Sequence, residues 1–472
     1  MLGLFGLLNL GARSLQTQQQ GVEIAGNNLA NASNAAYSRQ RLEIQSSIPL
    51  PTRIGPEGTG ADAVAIQQLR DSLLDQQIQG ESSLTSFLQS RQTALQYAQA
   101  GLGEQLQGST STSDGTNDVG STGGLANDLS GFFNSLQDLS TSASSLTSRQ
   151  AVISQAQQLT NQFNQLDQRL TSINGQLNQS VQTDVASANQ LLSDIAGLNN
   201  QIAGSEAGTG AANDLRDLRE QKIEALSQLV NVQSSTESNG EVNLSVGGQL
   251  LVSGSSVQDT LQTYDSGGGQ LLVRSAGAGA PLTLTGGSIA GTIDARDGAL
   301  KSLHDGINNL AGQIISQVNT VYRAGYDLHG QTGADFFTGT NASDIGINAT
   351  LANDPSSLQA SGVAGAAGNN QIALALAQMA NTPQAGLGNQ TFAQSYNGTI
   401  TDLGTALNSV NNQLDDQTTV QTMMLNQRSS VSGVSIDEEM TSLVMYQRAF
   451  QASAHLVSVV DQMLNTVVTL GQ

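Results

Sequence analysis

Apolar residues repeat most regularly over the last part of the chain, from residue 435 to residue 472. They occupy the two seam positions of a heptad, the pattern of a helix that lies along another helix. Ser435 and Glu438 predict a capping box at the start of this helix. Ser453 is the one polar residue on the predicted seam, whose apolar members are Ile436, Leu443, Tyr446, Phe450, Val457, Val460, Leu464 and Val467.

The start of the chain carries a weaker heptad, and Gly11 and Gln18 interrupt its second seam. An isolated helix of this kind is marginal in water, because nucleation is costly and its apolar face stays uncovered. We therefore expect the terminal helices to pair with each other or with neighbouring copies, as in a building block. The core of a monomeric helical bundle would give the same pattern. The seam residues at this end are Leu4, Leu8, Leu15, Val22 and Leu29.

Between the two ends, the period of the pattern changes from helix to strand and back. We predict an extended connector over 46–60, helices over 66–106, 125–232, 298–323, 372–379 and 392–429, and a flexible loop over 108–124. Asn213 is expected to cap a helix over 214–230. Strands are predicted by the alternating apolar residues Val242, Leu244 and Val246 and by further short apolar runs at 250–252, 271–273 and 282–284.

This layout predicts a mainly α fold with a β-rich insertion, in an elongated multidomain protein with paired terminal helices. The expected terminal coiled-coil domain combines residues 1–65 with 430–472. A helical-bundle middle domain combines 66–235 with 290–429, and a small outer β domain covers 236–289.

Composition narrows the range of possible functions and partners. The 472 residues carry 38 acidic and 17 basic side chains, a net charge of -21, and no Lys/Arg-rich run. Nucleic acid and anionic membrane are therefore poor candidates for partners. The chain has no cysteine, which excludes disulfides, thiolate catalysis and cysteine-based zinc sites. The apolar first ten residues lack the basic flank and cleavage site of a signal peptide, and we expect them to be the retained start of the first helix.

Candidate catalytic or metal-binding residues are isolated. His304, with Asp305 beside it, His329 and His455 have no neighbouring His, and a solvated helix face explains His304 better than a metal or general base. The segment 286–290 has Ala290 where a nucleophile elbow needs Gly. A calcium-like triplet at 114–118 lacks its Gly and closing Glu. We predict no enzymatic activity, cofactor or metal.

Short segments along nearly the whole chain resemble one protein family. Gly26-Asn27-Asn28-Leu29-Ala30-Asn31 is similar to the N-terminal signature of the axial proteins of the bacterial flagellum. Tyr37-Ser38-Arg39-Gln40-Arg41 resembles the continuation found in the flagellar hook-associated protein 1 family. Segments 132–139, 213–219, 326–330, 432–440 and 446–454 are also similar to that family. Ala35-Ala36 departs from it, since Pro or Lys followed by Gly usually stands there, and the middle of the chain is short for it.

The resemblance implies a structural subunit that joins hook to filament, forming a ring layer at the distal end of the hook. It also implies export through the flagellar type III apparatus without a cleaved signal peptide, and hence an extracellular location. The implied partners are further copies of the chain, the hook protein, the second hook–filament junction protein, and the export chaperone and apparatus. Neither nucleic acid nor membrane is implied.

Two residue sets are then candidates for assembly: the terminal seams, and the signature residues Asn27, Asn28, Asn31, Tyr37, Arg39 and Gln40. The asparagine amides could fix the register between subunits, or merely cap and turn the end of the first helix. Alternative functions are those of a hook or rod protein, a secreted coiled-coil adhesin, or an enzyme carried on a flagellar scaffold.

Overall fold

The computed structural model describes residues 3–53, 55–103, 124–208, 210–237 and 239–470. The loop predicted over 108–124 lies outside these residues apart from Gly124, and so does the calcium-like triplet of Asp114, Thr116 and Asp118.

The terminal helices α1 (Leu4–Ala30) and α11 (Ile436–Leu470) pack side by side and run antiparallel. Gly11 lies so close to α11 that a Cβ there would be 2.7 Å from Val457 Cγ2. The hydroxyls of Ser14 and Ser453 are 2.7 Å apart, so the polar interruption of the seam has a partner on α1. Gly11 therefore allows close approach of the helices, whereas the sequence suggested that it weakens the seam.

A β-ribbon follows α1 and runs back along it. Strands β1 (Gln40–Ser46) and β4 (Ala61–Gln68) pair antiparallel, and β2 (Leu50–Thr52) and β3 (Gly55–Glu57) form the hairpin at the tip. The Thr17 hydroxyl donates to the Ala61 carbonyl and fixes the ribbon on α1. The predicted connector over 46–60 is thus part of this ribbon, and the helix predicted from Ile66 is wrong there because β4 continues to Gln68.

Long helices make up most of the middle of the chain. The longest, α4, has 61 residues and extends about 90 Å at 1.5 Å per residue. Side-chain caps start several of these helices, for example Asp71 on α2 and the Thr391–Gln394 capping box on α10. The helices are α2 (Ser72–Leu102), α3 (Leu125–Thr141), α4 (Leu146–Glu206), α5 (Asn213–Leu229), α6 (Gly287–Ala295), α7 (Lys301–Tyr322), α8 (Ala349–Asn353), α9 (Gln371–Gln378) and α10 (Phe392–Ser432).

The β-rich insertion lies between α5 and α6. Strands β5 (Val232–Thr236), β6 (Val242–Val246), β7 (Gln249–Ser253) and β8 (Ser256–Val257) form an antiparallel sheet in chain order, and β9 (Leu261–Asp265) pairs with β10 (Leu271–Ser275). The alternating residues of β6 are buried as predicted. The strand predicted at 282–284 is absent from the described strands, and helix resumes at Gly287, earlier than expected, with a π-helical turn over Arg296–Leu300. A short pair, β11 (Phe337–Thr338) and β12 (Gly346–Ile347), follows α7.

Buried apolar side chains of the described residues form two clusters along α4. The first contains an aromatic group in which the rings of Phe132 and Phe336 are 5.7 Å apart and those of Phe133 and Phe392 are stacked. The second begins at Val181 and combines the rest of α4 with α5, α6 and the strands of the insertion. The mainly α fold with a β-rich insertion and paired terminal helices is the one predicted from the sequence.

Candidate functional site

Four of the segments that resemble the flagellar family meet at one place in the structure. These are the end of α1, the segment 37–40, the start of α5 and the turn between α10 and α11. We call this place the terminal junction and define it by Asn28, Tyr37, Ser38, Arg39, Gln40, Asp214, Asp217, Ser432, Glu438 and Glu439. It connects the paired terminal helices with the helical middle of the chain.

Asn28 is the centre of the terminal junction. Its side chain is 1% exposed and uses both of its polar atoms twice. The amide Nδ2 donates to the Gln40 carbonyl at 2.8 Å and to Glu439 Oε2 at 3.0 Å. The Oδ1 atom accepts from the Tyr37 hydroxyl at 2.8 Å and from the Gln40 N–H at 3.0 Å. These four bonds fill the hydrogen-bonding capacity of a carboxamide, and they join three parts of the chain.

Arg39 binds the start of α11. Its Nε donates to Glu439 Oε1 at 2.7 Å, its Nη1 donates to Glu438 Oε2 at 2.6 Å, and its backbone N–H donates to the Ser432 carbonyl. Burial alone would lower the pKa of Arg39, but the hydrogen bond to Glu438 and the charges of both glutamates raise it overall. The Glu438 carboxylate therefore binds Arg39 and not the start of its own helix. The predicted capping box is only half formed, with the Glu438 N–H donating to Ser435 Oγ at 3.5 Å.

Ser38 and Gln40 attach the same segment to α5. The Ser38 N–H and hydroxyl both donate to Asp217, at 3.0 and 2.9 Å, and Gln40 Nε2 donates to Asp214 at 2.8 Å. Burial raises the pKa of Asp217, although the two Ser38 hydrogen bonds and Arg70 oppose the shift. The predicted cap Asn213 is instead the first residue of α5, and its amide donates to the Ile66 carbonyl of the ribbon.

Asn27 and Asn31 lie at the surface end of α1. The Asn31 amide donates to the carbonyl and side-chain oxygen of Asn27, both at 3.0 Å, and the Asn31 backbone closes the last helical turn. Of the signature asparagines, these two serve the helix end, whereas Asn28 joins distant segments. Ala35 and Ala36 adopt negative φ, so this departure from the family needs no glycine.

The predicted seam residues of α11 fall into two groups. Tyr446 lies against Gly21, Val457 against Gly11, and Val460 is buried, while Leu443 and Leu464 are half-buried. In contrast, Ile436 is 56% exposed, Phe450 39% and Val467 57%, and further exposed apolar residues are Met440, Val444, Met445, Met463, Val468 and Leu470. On α1 the predicted seam residues Leu4, Leu8, Leu15, Val22 and Leu29 are half-buried, and the buried residues are Gly11, Thr17, Gly21, Ile24, Ala25 and Asn28.

The sequence did not identify the acidic partners of the signature, although their segments 213–219 and 432–440 resembled the family. Asp214 and Glu439 lie in the first turns of α5 and α11, where carboxylates have an ordinary explanation, since they stabilise the positive end of a helix dipole. Asp217 and Glu439 are nevertheless buried, and both bind side chains of the segment that follows α1. A buried carboxylate opposite a distant arginine cannot be recognised from spacing along the chain.

The candidate catalytic residues occupy separate places. His304 Nε2 is 2.7 Å from Asp167 on α4, and His329 Nε2 is 2.7 Å from Ser356. His455 is exposed on α11, and Ser288 donates to Asp184. Among the residues with described positions, no group of three His, Cys, Asp or Glu side chains could hold a metal ion. A search of the same residues for a helix able to span a membrane finds none.

Comparison with known proteins gives a consistent result over the chain. Residues 110–337 match the model of the flagellar hook-associated protein FlgK helical domain, and 425–470 match that of the flagellar basal body rod FlgEFG protein C-terminal region. Flagellar hook-associated protein 1 of Bacillus subtilis is 27% identical over 99% of this chain and 98% of its own length. The Escherichia coli protein of that name is 24% identical over 98% and 99%.

A solved structure shares the fold. It is that of the flagellar hook junction protein FlgK from Burkholderia pseudomallei, with a TM-score of 0.62 and 19% identity. The match covers 76% of this chain and the whole of the other. The helical-domain match and the relatives aligned over nearly the whole of both chains show that the chain belongs to the flagellar hook-associated protein 1 family.

Proposed function

We propose that this protein is a structural subunit of the bacterial flagellum that joins the hook to the filament. The terminal junction carries the proposal, because Asn28 and Arg39 bind the start of α11 while Ser38 and Gln40 attach the same segment to α5. Apolar side chains of α11 stay exposed beside it. A helix pair held in this way presents a defined surface for lateral packing. The relatives are named hook-associated proteins, in agreement with this role.

In the proposed assembly, neighbouring copies cover the exposed apolar side chains of α11. Ile436, Phe450 and Val467 contact another copy, whereas Tyr446 and Val457 hold α1 against α11. Each Leu, Val or Phe that becomes fully buried can stabilise the assembly by about 1.5–3 kcal/mol. The conformational entropy lost when the termini become ordered opposes this gain. The segments 1–65 and 430–472 form the assembly domain, 66–235 and 290–429 the wall of the tube, and 236–289 the outer insertion.

The family suggests the remaining partners. We propose that a ring of copies binds the hook protein on one side and the second junction protein on the other. An export chaperone and the flagellar export apparatus deliver the chain outside the cell without cleavage. The proposed role is structural and needs no cofactor, nucleic acid or membrane.

A hook or rod protein is the second candidate, because residues 425–470 match the C-terminal region of rod proteins. In the present chain that region comprises the end of α10 and the helix α11. The match to the hook-associated helical domain over 110–337 favours the junction role.

Electron microscopy of cells that lack the gene tests both candidates, with flagellin measured in the medium. A junction protein predicts hooks without filaments and flagellin lost to the medium. Absence of hooks would support a rod or hook protein. Intact filaments would overturn both, and a plasmid copy of the gene must restore the wild-type appearance.

A further inference from the structure

The tip of the β-ribbon exposes large apolar side chains. Ile48 is 88% exposed and Leu50 51%, and Arg53 beside them is also exposed. Arg53 has no ion-pair partner among the residues that the structure describes. A two-stranded ribbon is marginally stable in water, and exposed apolar residues at its tip indicate that something covers it. We call Ile48, Leu50 and Arg53 the ribbon tip.

The ribbon tip is held in place by the base of its hairpin. Ser47 Oγ donates to Asp62 at 2.7 Å, Arg13 of α1 binds the same carboxylate, and the Ser47 N–H donates to the Gly60 carbonyl. Gly60 lies beside Leu10 of α1, so close that a Cβ would be 3.6 Å from the Leu10 side chain. The ribbon tip therefore projects near the N-terminal end of α1 from a fixed base.

A second exposed apolar surface lies at the turn between α10 and α11. It consists of Val431, Ile436 and Met440, with the exposed carboxylate of Asp437 between them. Asp437 has no ion-pair partner within the described part of the chain. We call these four residues the elbow patch. Its apolar side chains and the Asp437 carboxylate complement the apolar side chains and the Arg53 guanidinium of the ribbon tip, in a hairpin that also carries Glu57 opposite Leu50.

The two surfaces of one chain lie at opposite ends of α1. Gly60, at the base of the ribbon tip, lies beside Leu10, whereas the elbow patch adjoins Glu439, which binds Asn28. Eighteen residues of helix separate these positions by about 27 Å, so the ribbon tip does not reach the elbow patch of its own chain. Because the tip extends beyond Gly60, a second copy displaced along the α1 direction by at least that distance would bring the two surfaces to the same level.

We propose that the ribbon tip of one copy packs against the elbow patch of a neighbouring copy. This inference rests on the proposed function, because it requires an assembly of this chain. The proposed contact is made by the ribbon, in addition to the contacts made by α11. Because the ribbon tip and the elbow patch are different surfaces, the contact gives the assembly a direction.

Cross-linking tests the contact directly, because the natural chain has no cysteine. Leu50→Cys and Met440→Cys chains are expressed together in cells that lack the gene, and isolated hook–filament particles are treated with a short bismaleimide. We expect a covalent dimer that contains one chain of each kind. Val363→Cys replaces Met440→Cys in the control, because Val363 is similarly exposed but lies outside both surfaces, and this pair should give no dimer.

A double variant, Ile48→Asp with Leu50→Asp, provides the second measurement. We expect the chain to be exported and folded but the filaments to be lost, whereas Val363→Asp cells keep them. Normal filaments in the double variant and no mixed dimer would overturn the inference and leave the proposed function standing. Filament loss without a mixed dimer would also overturn it, by assigning the ribbon tip to a different protein. Failure of the proposed function is recognised separately, by intact filaments in cells that lack the gene.

Discussion

The carboxamide of Asn28 donates to the carboxylate of Glu439 across 3.0 Å, although 411 positions separate the two residues. The same carboxylate accepts from Arg39, and Arg39 also binds Glu438. The first and last helices are therefore joined by a buried polar contact as well as by apolar packing. Polar contacts of this kind specify one alignment, because a shifted helix would leave buried groups without partners.

Replacement of Asn28 by Ala should destabilise the terminal helices. The change removes four hydrogen bonds, two from the Gln40 backbone and one each from the Tyr37 hydroxyl and Glu439. A single unsatisfied buried group costs roughly 1–3 kcal/mol. We expect the free energy of unfolding, measured in urea, to fall by at least ~2 kcal/mol. Asn27→Ala is the matched control, because Asn27 is exposed and should change stability by less than ~0.5 kcal/mol. Equal midpoints for the two variants would contradict the central role of Asn28.

Replacement of Gly21 by Ala should separate α1 from α11. A Cβ at Gly21 would lie 2.6 Å from the Tyr446 ring, too close for any side chain. Overpacking of this kind typically costs about 1–3 kcal/mol. Gly26→Ala in the same helix meets nothing within 4 Å and should stabilise the protein slightly, since Ala favours helix more than Gly. Thermal unfolding of the two variants checks the prediction, which fails if they shift the melting temperature in the same direction.

Asp217 of the terminal junction and Glu220, which follows it on α5, should make stability depend on pH. Burial raises the pKa of Asp217 and of Glu220, and Arg70 opposes both shifts only in part. A carboxyl whose pKa is higher in the folded state binds more protons there, so its contribution to stability is lost as the pH rises through the folded pKa. Carboxyls whose pKa is lowered in the folded state, such as Glu206 and Asp344, have the opposite effect on stability. Their contribution is lost only as the pH falls below the pKa of the unfolded chain, about 4.

We therefore expect the melting temperature to rise as the pH falls from neutral toward the unfolded carboxyl pKa of about 4, and to fall again below that value. Glu220→Gln should flatten the rise between neutral and mildly acidic pH, because it removes one of the groups that take up a proton. An unchanged profile in this variant would show that Glu220 does not titrate in that range.

Much of the fold was predictable from periodicity, whereas the terminal junction was not. The heptad of α11 and the alternation of β6 each repeat a local pattern, and such patterns report which face of an element is buried. Gly11 illustrates the limit. Its lack of a side chain suggested a gap in the seam, but the same lack permits close approach when the partner helix is present.

The π-helical turn and the acidic partners were missed for a related reason. Arg296 is fully buried between α6 and α7, and its Nη1 binds Asn178 Oδ1 at 2.6 Å and the Leu271 carbonyl at 2.8 Å. Its Nε and Nη2 donate to the neighbouring Asp297 at 2.7 and 2.9 Å. The adjacent Asp297 is visible in the sequence, but the distant amide and carbonyl that bind the remaining nitrogen have no sequence signature. Only the family resemblance singled out the segments 26–31, 37–41, 213–219 and 432–440, and it did not predict that they contact one another.

Arg296 should hold the β9–β10 hairpin against the long helix. Asn178 lies between the two apolar clusters of α4, and it also binds the hairpin through the Gly269 carbonyl. We expect Arg296→Met to speed hydrogen exchange in β9–β10 at least tenfold, while the helices of the first cluster keep their protection. Arg274→Met is the control, because Arg274 lies on the same hairpin and its side chain binds Gln262 and the Tyr264 ring, both of which belong to the hairpin itself. Equal exchange in both variants would contradict the role of Arg296.

Substitutions in the two groups of seam residues on α11 should have different effects, one group on folding and the other on assembly. Phe450 is 39% exposed and Val460 is 2% exposed in the single chain. An aspartate at position 450 remains hydrated in the monomer but would be buried without a partner in the ring, where burying a carboxylate is costly. An aspartate at position 460 would already be buried against α1.

We therefore expect Phe450→Asp to leave the urea midpoint of the monomer unchanged and to abolish filament attachment. Val460→Asp should lower the stability of the monomer by several kcal/mol, as expected for a charge placed in a packed interface. Unimpaired filaments in Phe450→Asp cells would exclude α11 as an assembly surface at that position. If Phe450→Asp instead destabilises the monomer as much as Val460→Asp does, Phe450 belongs to the contact between α1 and α11, and the exposed face must be sought elsewhere on the helix.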